Sequence, residues 1–110
     1  MKKYTFKELC ILAQYHLEHY RQTHHYEKLK EFGLMVKETN DANLKEAYYY
    51  SIKSALEYLT VEEKRILHAD YIEGLEKNWW MEFYSKTSYY RIKYAALKRF
   101  INCLHFELMV

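Results

Sequence analysis

The sequence contains no proline, and Gly33 and Gly74 are its only glycines. Sheet proteins depend on these two residue types for tight turns, hairpins and bulges. Their near absence argues against a sheet protein and predicts an all-α fold. Two cysteines in 110 residues, without the paired spacing of a zinc site, also exclude a disulfide-rich scaffold. We expect Cys10 and Cys103 to be buried thiols.

Long apolar runs are missing as well. No segment approaches the roughly 18 uninterrupted apolar residues of a membrane-spanning helix, so we expect no membrane association. The opening stretch MKKYTFKELC places Lys7 and Glu8 where a secretory signal has its apolar core. Because 110 residues match one domain of common size, these features together predict one compact cytoplasmic domain.

Capping signals and apolar periodicity predict five or six helices. Thr5 and Glu8 have the spacing of a capping box, as do Thr60 and Glu63, so a helix should begin after each threonine. Apolar residues follow at intervals of three and four, the spacing of one buried helix face. In the first helix this stripe comprises Phe6, Leu9, Cys10, Ala13, Leu17 and Tyr20, and the predicted fourth helix carries the apolar residues Val61, Ile66, Leu67 and Tyr71.

Two intervening helices are predicted between the capping boxes. A short second helix over residues 25–32 should end at Gly33, because glycine readily adopts the left-handed conformation of a helix end. Asn40 or Asp41 should cap a third helix. Its apolar stripe consists of Leu44, Tyr48, Ile52, Ala55 and Leu59.

The last two predicted helices carry a local excess of positive charge. Asn78 should cap a short fifth helix with two tryptophans, of which we expect one in the core, and Ser85 should cap the last and longest helix. Residues 85–110 hold five basic residues and one acidic residue, although the whole chain has a net charge of only +2. Such asymmetry steers a protein onto a polyanion.

A short helix, a tight connection and a longer basic helix have the outline of a helix-turn-helix, which sets its second helix in the major groove of DNA. With Ser85 as N-cap, the periodicity buries Tyr89, Ile92, Ala96, Leu97, Phe100 and Leu104. It leaves outward a predicted DNA-binding set of Lys86, Thr87, Tyr90, Arg91, Lys93 and Tyr94. From charge alone, an amphipathic core helix with a solvated polar face fits equally well.

The stretches LTVEEKRILHADYIEG (residues 59–74) and YSKTSYYRIKYAALKRF (residues 84–100) resemble region four of bacterial sigma factors. In that family a helix with a Leu-Thr/Pro-x-x-Glu start and a Tyr-x-x-Gly end precedes a helix-turn-helix. Its recognition helix begins with serine, as at Ser85, and ends in Ala-Leu-x-x-Leu, similar to residues 96–100. The connection between Gly74 and Ser85 is shorter here and lacks the glycine turn of sigma factors.

The same C-terminal string is similar to small phage regulators of the ArpU and RinA group. It is also similar to small uncharacterised proteins of wall-less bacteria that share a WW…YSKxxYYRxK signature. These resemblances imply a sequence-specific transcriptional regulator that binds double-stranded DNA with the helix starting at Ser85. The sigma-type contacts fall on Lys86, Thr87, Tyr90 and Arg91.

Residues 59–110 would then form the DNA-binding segment. Residues 1–58 would form a helical segment for packing or for homodimerisation, by which a single helix-turn-helix reads two half-sites. The alternative is a helical protein-interaction module, for example a partner of RNA polymerase or of a sigma factor, without direct DNA contact.

Other candidate sites find less support. His16, His19, His24 and His25 could supply metal ligands, but no HExxH or paired-cysteine spacing accompanies them, so we expect no metal and no other cofactor. Three consecutive tyrosines at residues 48–50 point about 100° apart on a helix, which favours packing over base stacking. Without a phosphate-binding glycine loop or a nucleophile elbow, we expect no enzyme.

Overall fold

The computed structural model describes residues 3–31, residue 33 and residues 42–109. This part of the chain forms helices and contains no strand, which confirms the all-α class. It comprises four α-helices, one π-helical turn and one 3₁₀ turn. Their bounds are α1 Phe6–Glu31, α2 Ala42–Glu57, α3 Val61–Leu67, the π turn His68–Ile72, the 3₁₀ turn Trp79–Glu82 and α4 Lys86–Met109.

Helix α1 is longer than the sequence pattern predicted. It runs without interruption from Phe6 to Glu31, so the separate second helix predicted over residues 25–32 is wrong. No glycine or proline lies inside α1 to break its backbone. With 26 residues α1 is the longest helix, not α4 with 24. Gly33 has the predicted left-handed backbone, with φ 74°, whereas Asn40 and Asp41 lie outside the described residues.

The predicted fifth helix is a single 3₁₀ turn, and Asn78 forms no side-chain cap to it. The amides of Phe83 and Tyr84 both donate hydrogen bonds of 2.9 Å to the carbonyl oxygen of Trp80, and the 3₁₀ turn ends there. Only Phe83 and Tyr84 lie between the end of this turn and Ser85, which is too few for a further α-helical turn. The first helix of the predicted helix-turn-helix is therefore replaced by this turn, and α3 packs against α4 instead.

The N-caps predicted for α1, α3 and α4 are confirmed. Thr5 and Glu8 form a reciprocal capping box with hydrogen bonds of 2.9 and 3.1 Å, and Thr60 and Glu63 form another with 2.9 and 3.2 Å. The Ser85 hydroxyl oxygen accepts a 3.1 Å hydrogen bond from the amide three residues later, at the start of α4. Each cap stabilises its helix by about 1 kcal/mol.

The main core lies where α1, α2 and α4 meet. Alanines at positions 13, 55 and 96 are fully buried and let the helix backbones approach closely. The predicted buried stripe of α4 is confirmed, except that Ile92 is only half-buried. The largest fully buried side chains in the main core are Leu17, Ile52, Leu67, Leu97, Phe100, Ile101 and Leu104.

The expected burial of Val61 and of the two cysteines is wrong. Val61 is 84% exposed, because on a helical wheel it lies about 140° from Ile66 and about 120° from Leu67, which face the core. Cys10 and Cys103 form no disulfide and are half-buried instead of buried. Both pack at the margin of the main core.

Histidine–tyrosine pairs join α1 to α2. His16 Nδ1 forms a close hydrogen bond with the Tyr48 hydroxyl, and His24 Nδ1 lies 2.8 Å from the Tyr49 hydroxyl. Tyr49 also stacks on Tyr20 with ring centres 5.1 Å apart. Burial raises the pKa of both Tyr48 and Tyr49 to about 12. Their hydroxyls therefore stay protonated and can donate to neutral imidazoles.

The packing role predicted for the three tyrosines is confirmed for Tyr49, which is buried, while Tyr50 is exposed. Among residues 3–31 and 42–109, no helix is both long and apolar enough to cross a membrane. The described residues likewise contain no cluster of three or more metal-ligating side chains.

Acid should destabilise the fold through His16. Burial lowers the pKa of His16, and the neighbouring His105 and His19 act in the same direction. Because the folded-state pKa lies below the unfolded value, the resulting stabilisation is complete above the unfolded pKa and is lost as pH falls through the folded one. We expect the melting temperature to fall between about pH 7.5 and about pH 5.

The control is His16→Gln, which keeps an acceptor for Tyr48 but cannot take up a proton. Its melting temperature should fall less over the same pH range. His25→Gln, at an exposed position on the same helix, should behave like the parent protein. Equal losses in all three proteins would contradict the role assigned to His16.

Candidate nucleic-acid interface

Asp70, in the π turn, joins three elements through its carboxylate. It accepts hydrogen bonds from Trp79 Nε1 at 2.7 Å and from the Tyr89 hydroxyl, and its Oδ2 lies 3.1 Å from Lys93 Nζ. The side chains of Asp70 and Lys93 are only 13% and 14% exposed. A carboxylate with this many partners at low exposure fixes its neighbours in one arrangement, because breaking a buried ion pair leaves a charge uncompensated.

The outward orientation predicted for Lys93 is therefore wrong. Its ammonium group lies 5.2 Å from the centre of the Tyr71 ring and 5.6 Å from that of Tyr89, in addition to the pair with Asp70. Periodicity within α4 could not reveal this, since the anion that draws Lys93 inward belongs to another element. Lys93 stabilises the fold from the inner side of α4.

Aromatic stacking supports the same junction. Trp80 is buried and stacks on Tyr89 with ring centres 4.5 Å apart and planes 9° from parallel. Burial, together with the hydrogen bond to Asp70, raises the pKa of Tyr89 well above its usual value, so the hydroxyl remains a donor. The expectation that one tryptophan enters the core is confirmed, and the half-buried Trp79 bonds to Asp70.

A second carboxylate, Glu63, anchors α4 further along. It is 4% exposed, completes the capping box of α3, and its Oε1 lies 3.3 Å from Arg99 Nη1. The two acidic residues Glu63 and Asp70 thus bind two of the five cations of α4. These contacts set the rotation of α4 about its axis.

The rotation leaves one polar side of α4 in solvent. Residues 87, 91, 94 and 98 succeed one another at intervals of four, three and four, and residues 86 and 90 flank them. All six side chains are exposed, including five of the six predicted DNA-binding residues. We call this surface the α4 face; it consists of Lys86, Thr87, Tyr90, Arg91, Tyr94 and Lys98.

The cations of the α4 face differ from the two on the inner side. Within the described part of the chain, no carboxylate pairs with Lys86, Arg91 or Lys98. Lys98 Nζ lies 4.3 Å from the centre of the Tyr94 ring, which holds its charge over the face. The α4 face therefore has a positive potential available to an external anion.

An open apolar cleft of about 400 Å³ borders the α4 face. It is lined by Phe6, Tyr90, Arg91 and Tyr94. The Phe6 ring centre lies 6.2 Å from that of Tyr90 and 5.8 Å from that of Tyr94. The sequence pattern placed Phe6 in the core stripe of α1 and missed this role, because its partners lie near the other end of the chain.

A larger concavity of about 650 Å³ lies beside α3. Its lining includes three exposed apolar side chains, Val61, Leu75 and Phe83. The Arg65 guanidinium lies 4.4 Å from the centre of the Phe83 ring and 5.9 Å from that of Trp79. Exposed apolar side chains gathered in one concavity are typical of protein-binding surfaces. We call this surface the α3 groove.

Removing the Asp70 carboxylate should loosen the junction. Asp70→Asn leaves the charge of Lys93 poorly exposed and without its ion-pair partner, so the free energy of unfolding should fall by about 3 kcal/mol. Urea denaturation measures this loss. Glu73→Gln, which changes an exposed carboxylate just after the π turn, is the matched control and should cost less than about 0.5 kcal/mol. Equal costs for the two variants would contradict the anchoring role of Asp70.

No protein-family model matches the chain, and no curated protein or solved structure matches it either.

Proposed function

We propose that this chain is a transcriptional regulator that binds double-stranded DNA sequence-specifically, with α4 as its recognition helix. The proposal rests on the division of the α4 cations into two groups. Lys93 and Arg99 bind poorly exposed carboxylates, whereas the three cations of the α4 face have no carboxylate partner within the described residues. Cations that form no ion pair within the fold can bind phosphates, and contacts to phosphates supply most of the affinity of proteins for DNA.

The spacing of the α4 face fits a groove of duplex DNA. Lys86 and Lys98 are separated by about 18 Å of helix axis, and the major groove is about 12 Å wide. The two lysines can therefore reach backbone phosphates on either side while Arg91, between them, faces the base edges. Arginine recognises guanine by two parallel hydrogen bonds, and threonine or tyrosine can add contacts to bases or phosphates.

The N-terminus of α4 adds a partial positive charge to the α4 face. Its first-turn amides point outward beyond Ser85, whose hydroxyl occupies only one of them, the Ser88 amide. A helix N-terminus favours phosphate. Because Trp80 and Asp70 hold these first turns in place through Tyr89, little ordering is required when DNA binds.

Homodimerisation through residues 1–58 belongs to the same proposal. Ile11 and Tyr15 lie one turn apart on α1 and are both about 60% exposed, which provides an apolar strip for a second copy. Two copies would read two half-sites and so raise affinity. The role in transcription rests on the resemblance to sigma region four and to the ArpU and RinA group, from which the 3₁₀ turn is a departure.

The α3 groove favours a second candidate function, a helical protein-interaction module whose partner could be RNA polymerase or a sigma factor. Val61, Leu75 and Phe83 would contact an apolar side of the partner, and Arg65 is the residue type enriched at such contacts. Retention on heparin separates the two functions. A DNA-binding protein elutes late and releases steeply as salt rises, whereas an interaction module responds little.

Two substitutions on the α4 face should have different effects on DNA binding. Arg91→Ala should cost about 1–3 kcal/mol and relax specificity at one base pair, because a base-edge contact is lost. Lys98→Ala should weaken all duplexes alike and reduce the salt slope by about one, because a phosphate contact is lost. Fluorescence anisotropy with duplexes selected from a random pool, repeated over a range of salt concentrations, measures both quantities.

Lys53→Ala is the matched control, since Lys53 is an exposed lysine of α2 and lies outside the α4 face. It should leave affinity and specificity close to those of the parent. If Arg91→Glu in a correctly folded protein binds duplex DNA as well as the parent does, the α4 face is only a solvated surface. The interaction module then becomes the better account.

Sedimentation tests the dimer. The parent should show a concentration-dependent equilibrium between monomer and dimer, and Ile11→Ser should shift it toward monomer. Both residues of the α1 strip are exposed, so the substitution should leave the melting temperature of the monomer nearly unchanged. A parent protein that remains monomeric at every concentration would contradict dimerisation.

A further inference from the structure

The cleft beside the α4 face combines apolar walls with a cationic rim. Its walls are the rings of Phe6, Tyr90 and Tyr94, and Arg91 completes the lining. The Lys98 ammonium adjoins the same wall, 4.3 Å from the centre of the Tyr94 ring. A ligand that complements this surface carries negative charge beside a small apolar group.

Neighbouring residues hold the side chains that line the cleft in place. Tyr90 packs edge-on against Trp80, with ring centres 6.1 Å apart, and Trp80 is buried. Phe6 is the first residue of α1, whose start is fixed by the capping box of Thr5 and Glu8. A cleft with fixed walls keeps its shape when empty, which reduces the entropy lost when a ligand enters.

Duplex DNA offers the required combination in its major groove. Phosphates line both edges of the groove, and the thymine 5-methyl group is the apolar group that base pairs display inside it. Arg91 belongs both to the α4 face and to the cleft. When Arg91 contacts a base edge, the cleft therefore lies against a base of the same or a neighbouring pair.

We infer that the cleft receives the 5-methyl group of a thymine, and that Phe6 of α1 is a specificity-determining residue of the DNA site. The inference rests on the proposed binding of duplex DNA by the α4 face. It adds a contact from the N-terminal half of the chain to a site that the sequence assigned to α4 alone. The positive charges bind phosphates of any sequence, and the cleft selects thymine at one position.

Replacement of thymine by deoxyuridine tests the inference, because it removes the methyl group and leaves every hydrogen-bonding group of the base pair in place. Thymines of a selected duplex are replaced one at a time. Binding to the parent protein should weaken about fourfold at one position, the factor equivalent to about 0.8 kcal/mol for one buried methyl group. In Phe6→Ala the two duplexes should bind equally, with the salt slope unchanged.

Two further variants keep the test decisive. Met81→Ala removes an exposed apolar side chain of the 3₁₀ turn, outside the cleft, and should retain the fourfold preference for thymine. Tyr94→Ala removes the ring beside Phe6 at an exposed position and should lower the preference, while the capping box of Thr5 and Glu8 still fixes the start of α1. Circular dichroism checks the fold of each variant, and Tyr94→Ala supplies the result if Phe6→Ala does not fold.

The outcomes distinguish this inference from the proposed function. A parent that binds duplex DNA but does not discriminate thymine from deoxyuridine at any position overturns methyl recognition alone. A preference that persists in folded Phe6→Ala and Tyr94→Ala places methyl recognition elsewhere on α4 and overturns the role of the cleft. A parent that binds no duplex DNA overturns both proposals.

Discussion

The contact between Asp70 and Lys93 determines how α4 is presented. The π turn is closed by a 2.7 Å hydrogen bond from the Glu73 amide to the His68 carbonyl oxygen. It places the Asp70 carboxylate among Trp79, Tyr89 and Lys93, which is why the contact forms. Turns of this kind are rare and often occur at functional sites. Here the turn supplies a single anion that orders the connection before α4 and fixes which side of α4 faces solvent.

That constraint divides the charges of α4 into two groups. Lys93 and Arg99 are bound internally and contribute to stability, whereas Lys86, Arg91 and Lys98 remain on the α4 face. Like charges without internal partners repel one another on a folded protein, and in the proposed function the phosphates of DNA would offset this repulsion. The adjoining aromatic cleft gives that face an apolar contact as well as a charged one.

Local signals predicted much of this fold, and tertiary contacts account for the rest. Thr60 and Ser85 were correct as caps because a cap depends on residues within three positions. The 3₁₀ turn, the inward orientation of Lys93 and the position of Phe6 against Tyr94 depend on partners far along the chain. Five of the six predicted site residues lie on the exposed α4 face, since periodicity determines exposure wherever no distant carboxylate intervenes.

The most direct test of DNA binding by the α4 face is an amide NMR titration of the isotope-labelled protein with a selected duplex. Shift changes should concentrate in the residues from Ser85 to Lys98 and at Phe6, and should weaken as salt is added. Changes confined to the amides of Val61, Leu75 and Phe83 around the α3 groove, with none in α4, would contradict the assignment of α4 as the recognition helix.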